Sequence, residues 1–187
     1  MHNVYRNRVD ERYCAAEANI VRWRHTVRFV SASRLAGSPL TSGLDLGDRT
    51  PVVDELEQIF GCTFGSSEGD LDVDSLFGRH DVVTAFEVLE HLFNPLHALL
   101  EVRRVLSGPH SRLFVSVPAA KPAILASPDH FHEMSPAAAE SLFARAGFRI
   151  VRRDVFRIRT WRFYLGGFKP LLRALFEKVL IYELEQS

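Results

Sequence analysis

The chain has 187 residues, of which 47% are hydrophobic and 25% charged, and its formal net charge is zero. This length and composition are typical of one domain with a substantial core. The net charge of zero argues against a surface that binds nucleic acid over its whole extent. We expect a cytoplasmic protein, because the sequence contains neither a secretory signal nor an apolar run of membrane-spanning length. Its two cysteines, Cys14 and Cys62, are too few for a disulfide framework and are interpreted as buried thiols.

Charge is distributed unevenly along the chain. Residues 44–101 contain 13 Asp and Glu, opposed only by Arg49 and Arg79. Residues 145–178 contain 10 Lys and Arg, opposed only by two acids. This asymmetry is more informative than the neutral total, and it is compatible with a local basic patch near the C-terminus.

The hydrophobic pattern predicts helices and strands in alternation. Helices are indicated where apolar residues recur every three or four positions, and strands where short apolar runs end at turn residues. In chain order we predict a helix at 10–32, a strand at 44–46, a helix at 51–60, strands at 62–67 and 81–86, a helix at 95–107, a strand at 112–118, a helix at 136–146, a strand at 148–158 and a helix at 171–184.

This alternation predicts a doubly wound α/β fold with a mainly parallel sheet and helices on both faces. Ligands of such sheets bind beyond the carboxyl ends of the strands. We expect a single domain over 1–187. It would comprise an N-terminal helix and loop (1–42), a core sheet (43–158) and a basic, aromatic helical tail (159–187).

Four stretches, read together, resemble the class I S-adenosylmethionine-dependent methyltransferases over about residues 40–158. They are LDLG (44–47), DVVTAFEVLEHLFNP (81–95), LLEVRRVLSGPHSRLFVSVP (99–118) and HFHEMSPAAAESLFARAGFRIV (130–151). The resemblance implies a Rossmann-like sheet of methyltransferase type, here shortened. It also implies S-adenosylmethionine as cofactor and methyl transfer as the reaction.

The first motif departs from the family pattern of an acidic residue followed by glycines at alternate positions. Asp45 and Gly47 match, but Arg49 and Pro51 stand where the next two glycines would be. Those glycines let the backbone approach the amino-acid moiety of the cofactor. Two interpretations stay open. Asp45, Gly47 and Asp48 bind the cofactor in a reshaped pocket where Arg49 contacts its carboxylate, or Arg49 and Pro51 seal the turn.

The second departure is length. Only 33 residues separate the first motif from the strand at 81–86, too few for two complete strand–helix units, so we expect one unit to be reduced or lost. In the family an acidic residue after the second strand holds the ribose hydroxyls. Glu68, Asp70 and Asp72 are the alternatives here, and Asp70 or Asp72 would otherwise lie beside the adenine.

The run FEVLEH, residues 86–91, follows a predicted buried strand. The resemblance places Phe86 and Glu87 in the cofactor site. Positions three and four apart face the same way in a helical turn, so we expect Glu87, Glu90 and His91 to converge.

His130 and His132 follow the next strand at the same edge of the sheet. Carboxylates with one or two imidazoles suit a divalent metal. The set resembles that of the small-RNA 2′-O-methyltransferases, which implies Glu87, Glu90, His91 and His130 as ligands. A metal would lower the pKa of a coordinated hydroxyl. Without a metal, His91 or His130 would be the catalytic general base, or the histidines would only anchor their loops.

The tail, RIRTWRFYLGGFKPLLRALFEKVLIYE at 157–183, mixes basic and aromatic residues. Such a segment suits an anionic membrane surface, a phosphate-bearing substrate or single-stranded nucleic acid. The alternative is a helical cover that packs on the sheet or on a second subunit of a homo-oligomer. Nucleic acid is not expected as the main partner.

Two functions of different classes remain. An S-adenosylmethionine-dependent methyltransferase would act at oxygen or nitrogen of a small-molecule, lipid-like or glycan acceptor. A catalytically inactive methyltransferase-like module would bind or scaffold a partner, and the missing glycines favour this alternative. A dehydrogenase fits less well, because LDLGDRTP lacks the glycine spacing of a dinucleotide-binding turn.

Overall fold

A computed structural model describes residues 14–125, 127–159 and 161–187. Its helices are α1 (Glu17–Ser31), α2 (Pro51–Phe60), α3 (Pro95–Val105), α4 (Pro136–Arg145), α5 (Trp161–Tyr164) and α6 (Phe168–Phe176). Its strands are β1 (Gly43–Asp45), β2 (Phe64–Ser66), β3 (Val82–Phe86), β4 (Arg112–Pro118), β5 (Phe148–Arg157) and β6 (Lys178–Gln186). Short 3₁₀ turns lie at Leu89–His91 and Ala123–Leu125. Residues 10–13 of the first predicted helix fall outside the described ranges.

The six strands form one sheet in the order β2-β1-β3-β4-β6-β5. Strands β1 to β4 are parallel, β6 is antiparallel to β4, and β5 is antiparallel to β6. Strand β5 therefore runs in the same direction as β1 to β4, so the carboxyl ends of five strands meet at one edge. Helices α1 and α2 contribute to one apolar cluster, and α3 and α4 contribute to the other. The predicted doubly wound α/β fold is confirmed.

The predicted loss of one strand–helix unit is also confirmed, because only α2 and β2 separate β1 from β3. Strand β2 is consequently an edge strand. The backbone amide of Phe64 donates to Glu57 Oε1 at 2.9 Å, and the Phe64 carbonyl accepts from Arg49 Nη1 at 3.4 Å. Two charged side chains thus cover the backbone groups that an edge strand would otherwise present to another chain.

The predicted helix at 171–184 is wrong in its second half. Helix α6 ends at Phe176, and residues 178–186 form β6, which lies between β4 and β5 inside the sheet. The strand includes a buried run of β-branched, leucine and aromatic residues at 179–182. The core sheet therefore extends beyond residue 158, and the region 159–187 is a helical insert followed by a core strand.

The insert of α5 and α6 connects β5 to β6. Because β5 runs parallel to β1–β4, this insert begins at the edge where the carboxyl ends of the strands meet. Within the described ranges, no helix combines the length and the apolar character needed to cross a membrane. Cys14 and Cys62 are unpaired and half-buried rather than buried.

Candidate cofactor and metal site

Asp45 ends β1 and lies opposite Thr84 of β3. The Thr84 hydroxyl donates a hydrogen bond of 2.5 Å to Asp45 Oδ1. Burial raises the pKa of the Asp45 carboxyl to about 7, although the Thr84 hydrogen bond and the charge of Arg49 act in the opposite direction. The carboxyl of the first motif is therefore held by a neighbouring strand.

Gly47 forms the turn after β1 with φ of +105°, a conformation that strongly favours glycine. Its amide donates to the hydroxyl of Ser67, at 3.1 Å, just beyond the end of β2. Asp48 follows as an exposed residue. The backbone of this turn is thus tied to the neighbouring strand end.

The guanidinium of Arg49 is bound by carboxylates of α2. Arg49 Nη2 lies 2.7 Å from Asp54 Oδ1 and 2.9 Å from Glu57 Oε2. The interpretation that Arg49 reaches toward a cofactor carboxylate is therefore not supported by its contacts. Arg49 instead stabilises the exposed edge of the sheet, together with Glu57.

The acidic connector between β2 and β3, residues 67–81, is held by hydrogen bonds within itself and to the start of α3. Asp70 Oδ1 accepts from the amide of Asp72 at 2.9 Å, and Asp72 Oδ1 accepts from the amide of Asn94 at 2.7 Å. These bonds fix the connector against the start of α3. Glu68 is exposed two residues after β2, so it is the alternative nearest the end of that strand.

The turn after β3 begins with Glu87, directly after Phe86. Glu87 has φ of +56°, a left-handed conformation that is costly for a side chain with a Cβ atom. Its Oε1 accepts a 2.8 Å hydrogen bond from Ser116 of β4, and its Oε2 lies 3.5 Å from Arg22 Nη1 of α1. Sequence reasoning missed Arg22, because the arginines of α1 resemble an ordinary solvated helix face.

Glu90 is fully buried in the 3₁₀ turn. Among the residues that the structure describes, neither carboxyl oxygen has a hydrogen-bond partner. Its backbone carbonyl accepts from the amide of Phe131 at 2.8 Å, which joins this turn to the loop after β4. Burial, with a further contribution from the Glu87 charge, holds the pKa of Glu90 well above its usual range. An unpartnered buried carboxyl is costly, so it marks a position where a ligand would be favourable.

His91 and His130 face each other beside Glu90, with ring centroids 4.9 Å apart. The Nδ1 of His91 lies 2.8 Å from the Asp129 carbonyl oxygen and therefore donates to it, so the neutral form of this ring carries its lone pair on Nε2. The Nδ1 of His130 lies 3.1 Å from Glu133 Oε1, and burial lowers the pKa of His130. His130 therefore favours a neutral form with Nε2 available, and the Nε2 of His91 lies 4.0 Å from Glu90 Oε1.

One ligand atom each from Glu90, His91 and His130 can be chosen so that all three lie within 4.8 Å of one another. A carboxylate and two imidazoles are a reasonable donor set for a divalent cation such as Mn²⁺ or Zn²⁺. Glu87 does not belong to this group, because its carboxylate contacts Ser116 and Arg22 instead. Of the four predicted ligands, the structure thus brings three together, and the binding of a metal by them stays a prediction. His132 lies beside the Phe93 carbonyl, with Nε2 at 3.4 Å.

Comparison with known proteins identifies the fold. No protein-family model and no curated protein sequence matches the chain. Among solved structures, a methyltransferase of Leishmania major described as S-adenosylmethionine-dependent aligns with a TM-score of 0.61 at 12% identity. The alignment covers 90% of this chain and 73% of the Leishmania chain. A Haloferax volcanii protein, solved in complex with the methyltransferase activator Trm112, aligns with a TM-score of 0.60 at 16% identity over 95% and 97% of the two chains.

A third similar structure contains ligands. The 1,6-didemethyltoxoflavin N1-methyltransferase of Burkholderia thailandensis was solved with its substrate and S-adenosylhomocysteine, and it aligns with a TM-score of 0.56 at 16% identity. The alignment covers 88% of this chain and 78% of the Burkholderia protein. At these identities the likeness concerns the fold, and the chain has the fold of the class I S-adenosylmethionine-dependent methyltransferases.

Proposed function

We propose that the protein is an S-adenosylmethionine-dependent methyltransferase whose acceptor binds beside Glu90, His91 and His130. One observation carries this proposal: a buried carboxyl without a partner lies next to two imidazoles with available Nε2 atoms. The group follows β3 and β4, at the sheet edge where α/β proteins bind their ligands. In a purely structural cluster, a buried carboxyl usually has a hydrogen-bond partner.

His91 or His130 would act as the general base for a hydroxyl acceptor. S-adenosylmethionine, when bound, supplies the electrophilic methyl group. The Nε2 lone pair of the histidine accepts the proton of the acceptor hydroxyl as its oxygen becomes the nucleophile. The Asp129 carbonyl and the Glu133 carboxylate fix the two rings through their Nδ1 atoms, so that Nε2 stays available.

A divalent cation is an alternative way to activate the acceptor. Glu90, His91 and His130 would hold it, and it would lower the pKa of an acceptor hydroxyl. Burial keeps Glu90 protonated at neutral pH when no cation is present, so cation binding would displace that proton. Elemental analysis of protein purified without a histidine tag, compared with Glu90→Ala, tests this alternative. Equal metal content in the two proteins would exclude it.

The proposed cofactor contacts remain those of the two turns. Asp45, Gly47 and Asp48 follow from the first motif, and Phe86 and Glu87 from the end of β3. One acidic residue of the connector, Glu68, Asp70 or Asp72, would hold the ribose. Arg49 is left out of this set, because Asp54 and Glu57 bind it.

The acceptor would be a small-molecule, lipid-like or glycan compound, methylated at oxygen or nitrogen. The insert of α5 and α6 begins at the ligand edge, and residues 157–178 contain six Lys and Arg against one acid. This charge favours an acceptor or a membrane surface that carries phosphate or another anionic group. A second copy of the chain packed on this insert is the alternative for the same surface.

Equilibrium dialysis with tritiated S-adenosylmethionine tests the proposal. We expect saturable binding in the micromolar range that unlabelled S-adenosylhomocysteine displaces. The same dialysis with Mn²⁺ present shows whether a cation strengthens binding. No saturable binding up to millimolar cofactor, from protein with a cooperative melting transition, would overturn the proposal.

A non-catalytic module is the second candidate function. It is favoured by the turn after β1, where Arg49 pairs with α2 and the Gly47 amide bonds Ser67. Such a module would act through a partner chain, and the Haloferax volcanii relative was itself solved with an activator protein. This function predicts that no cofactor binds, so the dialysis separates the two candidates.

A further inference from the structure

Arg22 and Glu87 form a buried ion pair that the methyl-transfer chemistry above does not use. Arg22 Nη1 lies 3.5 Å from Glu87 Oε2, and the two side chains are only 16% and 12% exposed. The Nε atom of Arg22 is buried and has no hydrogen-bond partner among the described residues. The two charges are balanced, but the guanidinium retains an unsatisfied donor.

A cavity of about 40 Å³ lies against this pair, between α1, the first turn of α2 and the end of β3. Besides Arg22 and Glu87, its lining includes Trp23, Thr50 and Phe86. At about 10–15 Å³ for each water, this volume holds roughly three waters, so it admits the charged end of a ligand but not a nucleoside. The amino terminus of α2 adds a partial positive charge to the same wall.

A buried pair with no net charge is matched best by a ligand end that also carries both charges. A carboxylate can accept from Arg22 Nε and Nη1, and an ammonium can donate to Glu87 Oε2. A singly charged end would leave one buried charge without compensation, which is costly. The hydrogen bond from Ser116 and the left-handed backbone of Glu87 hold its carboxylate in place.

We infer that Arg22 and Glu87 bind the α-amino-acid end of S-adenosylmethionine, and that Arg22 is a positioning residue which selects cofactors with an intact amino-acid moiety. This inference rests on the proposed function, since it assumes that the cofactor binds at this edge. It replaces Arg49, the arginine in the first motif, by an arginine from α1 as the partner of the cofactor carboxylate.

Two nucleosides separate this role from a merely structural one. S-adenosylhomocysteine carries the amino-acid end, whereas 5′-methylthioadenosine has the same thioether nucleoside without it. We expect Arg22→Ala to weaken S-adenosylhomocysteine binding about ten- to hundredfold, because a charged hydrogen-bonded contact is lost. The affinity for 5′-methylthioadenosine should change less than about twofold. Arg24→Ala, at an exposed position of the same helix, is the matched control and should alter neither affinity.

The outcomes decide between the inference and the proposed function. If Arg22→Ala leaves S-adenosylhomocysteine binding intact, or weakens both nucleosides equally, the inference is wrong although the protein binds cofactor. If the wild-type protein binds neither nucleoside, the proposed function fails together with the inference. If Arg22→Ala does not fold, Arg22→Lys decides instead. The lysine keeps the charge but loses the planar donor fork, so an intermediate and selective loss of S-adenosylhomocysteine affinity is expected.

Discussion

The turns after β1 and β3 are neighbours at one sheet edge, but they satisfy their polar groups differently. After β1, the Asp45 carboxyl accepts from Thr84, the Gly47 amide donates to Ser67, and Arg49 is bound by α2. After β3, both oxygens of Glu90 are without a partner among the described residues.

The difference indicates where a ligand would gain most free energy. Groups that the protein already satisfies have to exchange one hydrogen bond for another, with little net gain. Buried groups left unpaired gain the full interaction when a ligand arrives. We therefore propose that binding and chemistry depend mainly on the turn after β3. The turn after β1 would add cofactor contacts from Asp45, Gly47 and Asp48 and would mainly stabilise the sheet.

The largest expected effect is on metal binding at the β3 turn. Glu90→Gln removes the anionic oxygen of the three-residue group while keeping the side-chain size. We expect the affinity for Mn²⁺ to fall by about a hundredfold or more, since the ligand charge is lost. Calorimetric titration with MnCl₂ at pH 7.5 measures it, and Glu55→Gln, an exposed site on α2, is the control. Unchanged Mn²⁺ affinity in Glu90→Gln would show that Glu90 does not bind a metal ion.

A smaller effect, on the pH dependence of stability, is expected at the β1 turn. The folded-state pKa of Asp45 is raised to about 7, well above the value of about 4 in an unfolded chain. Between these values the folded state binds more protons, so the free energy of unfolding decreases as pH rises from about 4 to about 7. Asp45→Asn keeps an acceptor for Thr84 but cannot ionise, so it should flatten this slope.

Thermal melts at pH 5 and pH 8 measure that slope. We expect the free energy of unfolding of Asp45→Asn, relative to that of the wild type, to rise by about 1–3 kcal/mol from pH 5 to pH 8. In a chain of this size, each kcal/mol shifts the melting temperature by roughly 2–4 °C. Asp48→Asn, an exposed site in the same turn, is the control. Parallel pH profiles for Asp45→Asn and the wild type would show that Asp45 is not a buried protonated group.

The smallest effect is expected at Arg49. Arg49→Gly restores the glycine of the family pattern and removes partly exposed ion pairs, which contribute at most about 1 kcal/mol. Stability should therefore fall slightly, while the affinity for S-adenosylhomocysteine stays within about twofold of the wild type. A tenfold change in that affinity, in either direction, would show that Arg49 contributes to cofactor binding. The turn after β1 would then not be mainly structural.

Much of the fold could be predicted from the sequence, because its signals are local. The unbroken apolar runs at 81–86 and 112–118 indicate buried strands. Gly61 marks the end of α2, and Pro95 marks the beginning of α3. The exception is β6, whose Glu183 resembles the polar face of a helix. Glu183 is buried beside Arg152, with Oε2 at 2.6 Å from Nε, and this partner from another strand is invisible to a local pattern.

The candidate site could be predicted in part for the same reason. The spacing of FEVLEH and the histidine after β4 place Glu90, His91 and His130 together, and the structure brings them together. Their roles stay predictions. Glu87 was expected in the same group, but Arg22, 65 positions earlier in the chain, binds it from α1. That contact depends on how α1 packs over the end of β3, which helix periodicity cannot specify.

X-ray diffraction from crystals grown with S-adenosylhomocysteine and Mn²⁺, recorded with the anomalous signal of manganese, tests the central claim most directly. We expect the amino-acid end of the nucleoside beside Arg22 and Glu87, and the cation alternative further predicts a manganese peak between Glu90, His91 and His130. A nucleoside whose carboxylate contacts Arg49, or crystals in which the turn after β3 binds neither ligand, would contradict the assignment of binding to that turn.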